Sequence, residues 1–162
     1  MAPKAEINFN IGSSHLMGRG GTQSGLVWSV DLLKPTPISK SLDLLMGAGV
    51  QHATYFQNDT STLDFKAHLG LRWSSRIPDL KLDLFANVGF SNYAGPLANN
   101  LGIARDQNTY GQLVGLHGRL KYRFLNLALG CDGHFLSVPA QDNDHLDGVA
   151  QSFAQCQLMA GR

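Results

Sequence analysis

Charge is scarce in this chain. Only 15% of its 162 residues are Asp, Glu, Lys or Arg, against the roughly 25% of an ordinary soluble domain, and 13 bases against 12 acids leave a net charge of +1. That balance excludes a highly charged disordered tail and a protein that grips polyanions through bulk positive charge, so no nucleic-acid partner is expected. Cysteine is nearly absent, with two residues, too few for a scaffold built on disulfides. No run reaches the eighteen or so apolar residues of a membrane-crossing helix, and the opening MAPKAEINFN lacks the apolar core of a secretion signal. The expectation is a cytoplasmic chain or a mature form whose signal has been removed. Internal repeats, low-complexity tracts and dividing linkers are also missing, so 1–162 reads as a single domain.

What the chain does contain is alternation. Over 63–73, Leu63, Phe65, Ala67, Leu69, Leu71 and Trp73 interleave with Asp64, Lys66, His68, Gly70 and Arg72. Over 80–90, Leu80, Leu82, Leu84, Ala86, Val88 and Phe90 interleave with Lys81, Asp83, Phe85, Asn87 and Gly89. A period of two makes strands with one apolar and one polar face, and helical spacing fits neither segment. Similar stretches lie near 5–14, 24–33, 41–56, 109–122, 124–136 and 148–160, for a total of eight. The connections sort by length. Segments 34–40, 74–79 and the reversal at 123–125 are short; 15–23, 91–108 and 137–147 are longer and polar, with 57–61 the brief exception on that side. In an up-and-down meander the long loops therefore fall at one end and the short turns at the other. An even number of meandering strands invites closure into a barrel.

The next question is which face points inward. A soluble carrier of the lipocalin kind would turn the apolar face in, toward a ligand; a membrane barrel turns it out, toward lipid. Three features favour lipid outside. Six apolar positions across about eleven residues match the length a tilted strand needs to cross a bilayer. Aromatics gather near strand ends, with Trp73 and Tyr122 at the short-turn end and Phe56, Phe90, Tyr110 and Phe135 at the long-loop end, while Trp28 is nearer mid-strand. Third, the opposite face nearly balances Glu6, Asp31, Asp43, Asp64, Asp83 and Asp132 against Lys66, Arg72, Lys81, Arg119 and Lys121, as enclosed charges require. Leu63, Phe65, Leu69, Leu71, Trp73, Leu80, Leu82, Leu84, Val88 and Phe90 are the expected lipid contacts.

Carried by LDFKAHLGLRW, LKLDLFANVGF and this sorting of loops, the chain resembles the small eight-stranded outer-membrane β-barrels of Gram-negative bacteria over essentially its whole length. The resemblance is to an architecture; no peptide assigns one family. It implies an all-β, transmembrane, antiparallel barrel in a bacterial outer membrane, with periplasmic turns, surface loops and a removed signal. The terminal QLMAGR departs from it by lacking the aromatic last residue common in such barrels.

Little else carries chemistry. Cys131 and Cys156 both count onto the apolar face of the last two strands, where a cross-strand disulfide and two unbonded lipid-facing thiols are both open. His68, His117 and His134 count onto the polar face as members of an interior network, on different strands, so no metal or cofactor is expected. His52 counts onto the lipid face near the long-loop end. Barrels resembling lipid A deacylases and palmitoyltransferases pair a His with a Ser near the outer leaflet, and Ser24, Ser13 or Ser14 could partner His52 in an acyl hydrolase or acyltransferase. The bland reading of His52 is a headgroup contact. GRGG at 18–21 has no phosphate-loop context and reads as a loop tip. The 91–108 loop, with Tyr93, Leu97, Leu101 and Ile103, could cover the barrel mouth or meet a protein partner. The leading expectation is a structural, adhesion or interaction protein with a plugged lumen; a lipid acyl enzyme and a lipocalin-like carrier are the alternatives.

Overall fold

The strict alternation folds as sheet. In a computed structural model, which describes residues 4–18, 21–56, 60–94, 109–137 and 150–162, eight strands form a closed antiparallel barrel in chain order: β1 (Glu6–Gly18), β2 (Gly21–Pro37), β3 (Leu42–Tyr55), β4 (Thr60–Ser74), β5 (Leu80–Ala94), β6 (Thr109–Tyr122), β7 (Leu125–Ser137) and β8 (Ala150–Gly161). Closure pairs β8 with β1, so no strand edge is left to template aggregation.

Strand ends differ from the sequence reading in three places. Residues 15–23 read as a loop, yet His15–Gly18 and Gly21–Gln23 continue the ladder, with His15 opposite Ser24. The segment 34–40 reads as a turn because of its prolines, yet Lys34–Pro37 remain strand. Pairing with β1 begins only at Glu6↔Leu33, so Pro35 and Pro37 lie on a stretch of β2 without its β1 neighbour, where a missing N–H is tolerated. At 91–94 the ladder also runs beyond the expected strand; the rest of the expected loop, 95–108, lies outside the described residues.

The pleat puts successive side chains on opposite faces. Ile7, Phe9, Ile11, Leu69, Leu84, Leu116, Leu129 and Leu158 stand exposed on the outer wall, while Arg72, Arg119, Asp64, Asp83 and Asp132 are buried within. The lumen holds an apolar cluster of Leu16, Val27, Ala53, Tyr55, Ala128 and Met159, but it shares the interior with many buried charged and polar groups, unlike the apolar lining that a lipocalin-like carrier needs around a ligand. One circuit of directly paired residues runs from Met17 through Ala154, Gly133, Val114, Val88, Ala67, Ala48 and Leu32, and meets β1 again at Ile7. The strands are thus staggered by ten positions on β1, which sets their tilt.

The narrow lumen is filled by pairing large side chains with missing ones. A Cβ on Gly130 would lie 2.3 Å from Cγ of His117, and one on Gly115 would lie 1.9 Å from Oδ1 of Asp132. At the short-turn end Tyr122 pairs directly with Leu125, so Arg123 and Phe124 alone make the reversal, with Arg123 at φ 54°. Gly130→Val should force the His117 ring out of place and destabilise the barrel by about 1–3 kcal/mol. Refolding into detergent, followed by urea titration of the gel band that shifts on heating, measures the loss.

Candidate functional site

The inner face forms a sealed ionic core. Nearest the short turns, the guanidinium of Arg72 donates to Glu6 at 2.6 and 2.9 Å and to Asp83 at 2.7 and 2.9 Å, while Lys121 donates to Glu6 at 2.7 Å and Asn8 at 2.9 Å. Arg72 belongs to β4, Glu6 to β1 and Lys121 to β6, so this cluster bridges the lumen from three directions.

Higher up, Arg119 of β6 donates to Asp31 of β2 at 2.6 Å, and His68 Nε2 lies 3.2 Å from the same carboxylate. His68 continues to Asn87 at 2.6 Å, and Asn87 to Asp132 at 3.5 Å. Asp132 is the hub. Lys66 Nζ donates to it at 2.5 Å and Gln157 at 3.0 Å, and His117 Nε2 lies 2.9 Å away. Lys66 also donates to Gln51, which donates to Asp64, and Ser91 donates to Asp64 in turn. Toward the long loops, Tyr55 meets Ser14 at 2.9 Å and Gln155 at 2.7 Å, and Tyr93 pairs with His134.

Of the sequence-predicted polar-face residues, Glu6, Asp31, Asp64, Lys66, His68, Arg72, Asp83, His117, Arg119, Lys121, Asp132 and His134 meet in these contacts. Asp43 and Lys81 sit half-buried at the short-turn rim instead. Tyr93 was hidden from sequence reading inside an expected loop. Carrying the inward phase of Asp83, Phe85 and Asn87 onward to Ser91 and Tyr93 would have found it.

The outer wall corrects the proposed histidine pair. His52 does not meet Ser24: its ring stacks on Trp28, its direct neighbour across β2–β3, at 5.8 Å between centroids. Ser14 points inward to Tyr55. Ser24 instead meets His15, with Nδ1 and Oγ 3.0 Å apart and both side chains exposed on the outer face. His15 was missed because 15–23 read as loop, although the outward phase Ile7, Phe9, Ile11 reaches it unbroken. Next to His15 on the other side is Cys156, which is bonded to Cys131 across β7–β8. Among the described residues no carboxylate bonds His15, and no His, Cys, Asp and Glu group is arranged to hold a metal.

A buried salt bridge costs most when half of it is removed. Asp132→Ala should strand Lys66 and lower stability by about 3–5 kcal/mol, whereas replacing Asp132 and Lys66 together by Leu and Met should recover much of that loss. Urea unfolding of the two variants in the same detergent checks the ordering.

No family model and no curated protein matches the chain. Solved structures do. Neisserial surface protein A superposes with a TM-score of 0.62 at 12% identity, covering 98% of this chain and 96% of its own. The outer membrane enzyme PagL gives 0.57 at 10% identity, covering 94% and 97%. Ail, the attachment invasion locus protein of Yersinia pestis, gives 0.51 at 9%, covering 99% and 98%. At such identities the likeness is one of fold, and the fold of this chain is that of the small eight-stranded outer-membrane β-barrels.

Proposed function

We propose that the protein resides in a bacterial outer membrane with its outer wall in lipid, and that it works as a structural, adhesion or interaction protein through its long-loop end. One observation carries the reading: the usual distribution is inverted, with Leu69, Leu116, Leu129 and Leu158 exposed and Arg72, Arg119 and Asp132 buried. In water such a wall would be a continuous apolar surface far larger than a soluble monomer exposes. The exposed rings of Trp73 and Tyr122 at one end, and of Phe56, Phe90, Tyr110 and Phe135 at the other, suit the two headgroup levels. The filled lumen leaves no aqueous path, so a partner is met at the rim, and the part of the 91–108 segment beyond β5, with Leu97, Leu101 and Ile103, is the proposed contact.

A second reading rests on the exposed His15–Ser24 pair. Imidazole as base can take the Ser24 proton as Oγ attacks a lipid ester carbonyl; collapse of the adduct expels the alcohol, which recovers that proton, and water then hydrolyses the acyl-serine. Ester hydrolysis needs no other reactant. The pair lies toward the long-loop end of the outer wall, and one protein of this fold is an outer-membrane enzyme.

One measurement tests the membrane placement that both readings share, and a second separates them. Leu69→Arg should cost about 2–4 kcal/mol of bilayer stability if the wall meets lipid, and an unchanged refolding midpoint in vesicles would reverse the orientation. Under the enzyme reading, Ser24→Ala should leave the heat-shifted band intact and abolish release of fatty acid from outer-membrane lipid. Lipid mass spectra identical with and without the parent protein would leave the interaction role alone.

A further inference from the structure

Part of the outer wall is hollow. The row of outward residues that circles the barrel from Met17 to Ile7 carries Ala48, Ala67, Val88 and Val114 on β3 to β6. The next outward row toward the long loops carries Phe65, Phe90, Gln112 and Phe135 on β4 to β7. Where benzyl groups stand beside methyl and isopropyl groups, the wall drops into a groove of about 870 Å³ that extends to Val30 and Leu32 on β2. From β2 to β6 it spans about 19 Å at the usual strand spacing, the reach of an extended fatty acyl chain.

The stagger gives this groove a direction. Each step from β6 toward β2 follows the row that ends at Ile7, close to the short turns, so the groove slopes from the long-loop side downward. At its upper end the Phe135 ring reaches over Gly133, where a Cβ would meet ring carbons at 3.7 Å. Beside Phe135 stands Gln112, exposed on the outer wall, its amide without a side-chain partner among the described residues. Gln112 lies one outward position below Tyr110, at the depth of the aromatic belt. At that depth, beside the headgroup level, a lipid ester carbonyl is within reach of an amide donor as its acceptor.

We propose that the groove binds one acyl chain of an ester-linked membrane lipid, the Gln112 amide donating to the ester carbonyl and the chain descending over Val88, Ala67 and Ala48. The proposal rests on the reading that this wall faces lipid. A second copy of the barrel fits less well. Its convex wall would ride on the Phe rims and leave the floor unfilled, losing the dispersion contacts that a thin flexible chain recovers.

Native mass spectrometry of the folded protein in detergent, titrated with dimyristoyl phosphatidylglycerol, tests the site. The wild type should retain one lipid per barrel. Ala67→Phe, which raises the floor, should weaken retention by about tenfold or more. Gln112→Leu, a surface change that should not disturb folding, should weaken retention of the ester lipid but not of its ether-linked analogue, which has no carbonyl to accept. Retention unchanged in Gln112→Leu, absence of any lipid adduct on the wild type, or a dimer in place of the adduct would overturn the site. The heat-shifted band of each sample shows that it is folded, and a wild type that stays monodisperse without detergent would refute the membrane reading instead.

Discussion

Ions inside a wall that cannot supply water must find each other, and most of this barrel is arranged so that they do. Arg72 reaches two carboxylates with four hydrogen bonds, and Asp132 receives Lys66, Gln157 and His117 together. Any one of these groups left alone would cost several kcal/mol, more than most single contacts in a protein contribute. The glycines follow from the same demand. His117 and Asp132 occupy space that side chains at Gly130 and Gly115 would need, so the ladder gives up two side chains to seat the hub.

The pairs also constrain register. A slip of one residue in any hairpin would turn its apolar row into the lumen, which the pleat alone forbids. A slip of two preserves the faces but moves each charge by about 6–7 Å along the barrel. Cross-lumen contacts such as Arg119 to Asp31, or Lys121 to Glu6, detect that second error, because they join strands that are not neighbours in the sheet. The closing seam has the least ladder to rely on, running only from Asn10↔Gly161 to Met17↔Ala154. The Cys131–Cys156 bond ties β8 to β7 beside that seam, with His15 facing Cys156 across it. It strengthens the side of β8 that the seam does not hold.

Eight strands, their meander and the sense of both faces were legible from period-two spacing, because lipid and lumen impose opposite chemistry on adjacent residues. Strand ends were not. Gly18, Gly21, Pro35 and Pro37 read as loop residues by composition, yet the ladder carries them, since a staggered barrel has stretches where one neighbour is already gone. The inward set could be named from parity, but its partners could not. Parity says that Lys66 and Asp132 share a lumen; only the stagger brings β4 and β7 to a common height. The His15–Ser24 pair was lost for the first of these reasons, and His52 was paired with the wrong serine for the second, because its true neighbour across the ladder is Trp28.

Where the outer wall breaks its own apolar rule, the break has to be explained by something outside the barrel. Inside, a polar residue serves the ionic core; outside, in lipid, Gln112, His15 and Ser24 have no such employment. Two of these three satisfy each other, and their contact is what gives an acyl-transfer reading any footing. Gln112 has no such partner among the described residues, and it stands where small residues open a sloping groove beneath it. A wall selected only to be greasy would gain dispersion contacts by filling that stripe with Leu. The run of Ala48, Ala67, Val88 and Val114 along a single staggered row, with one amide at its upper rim, is better accounted for by a chain that lies in it.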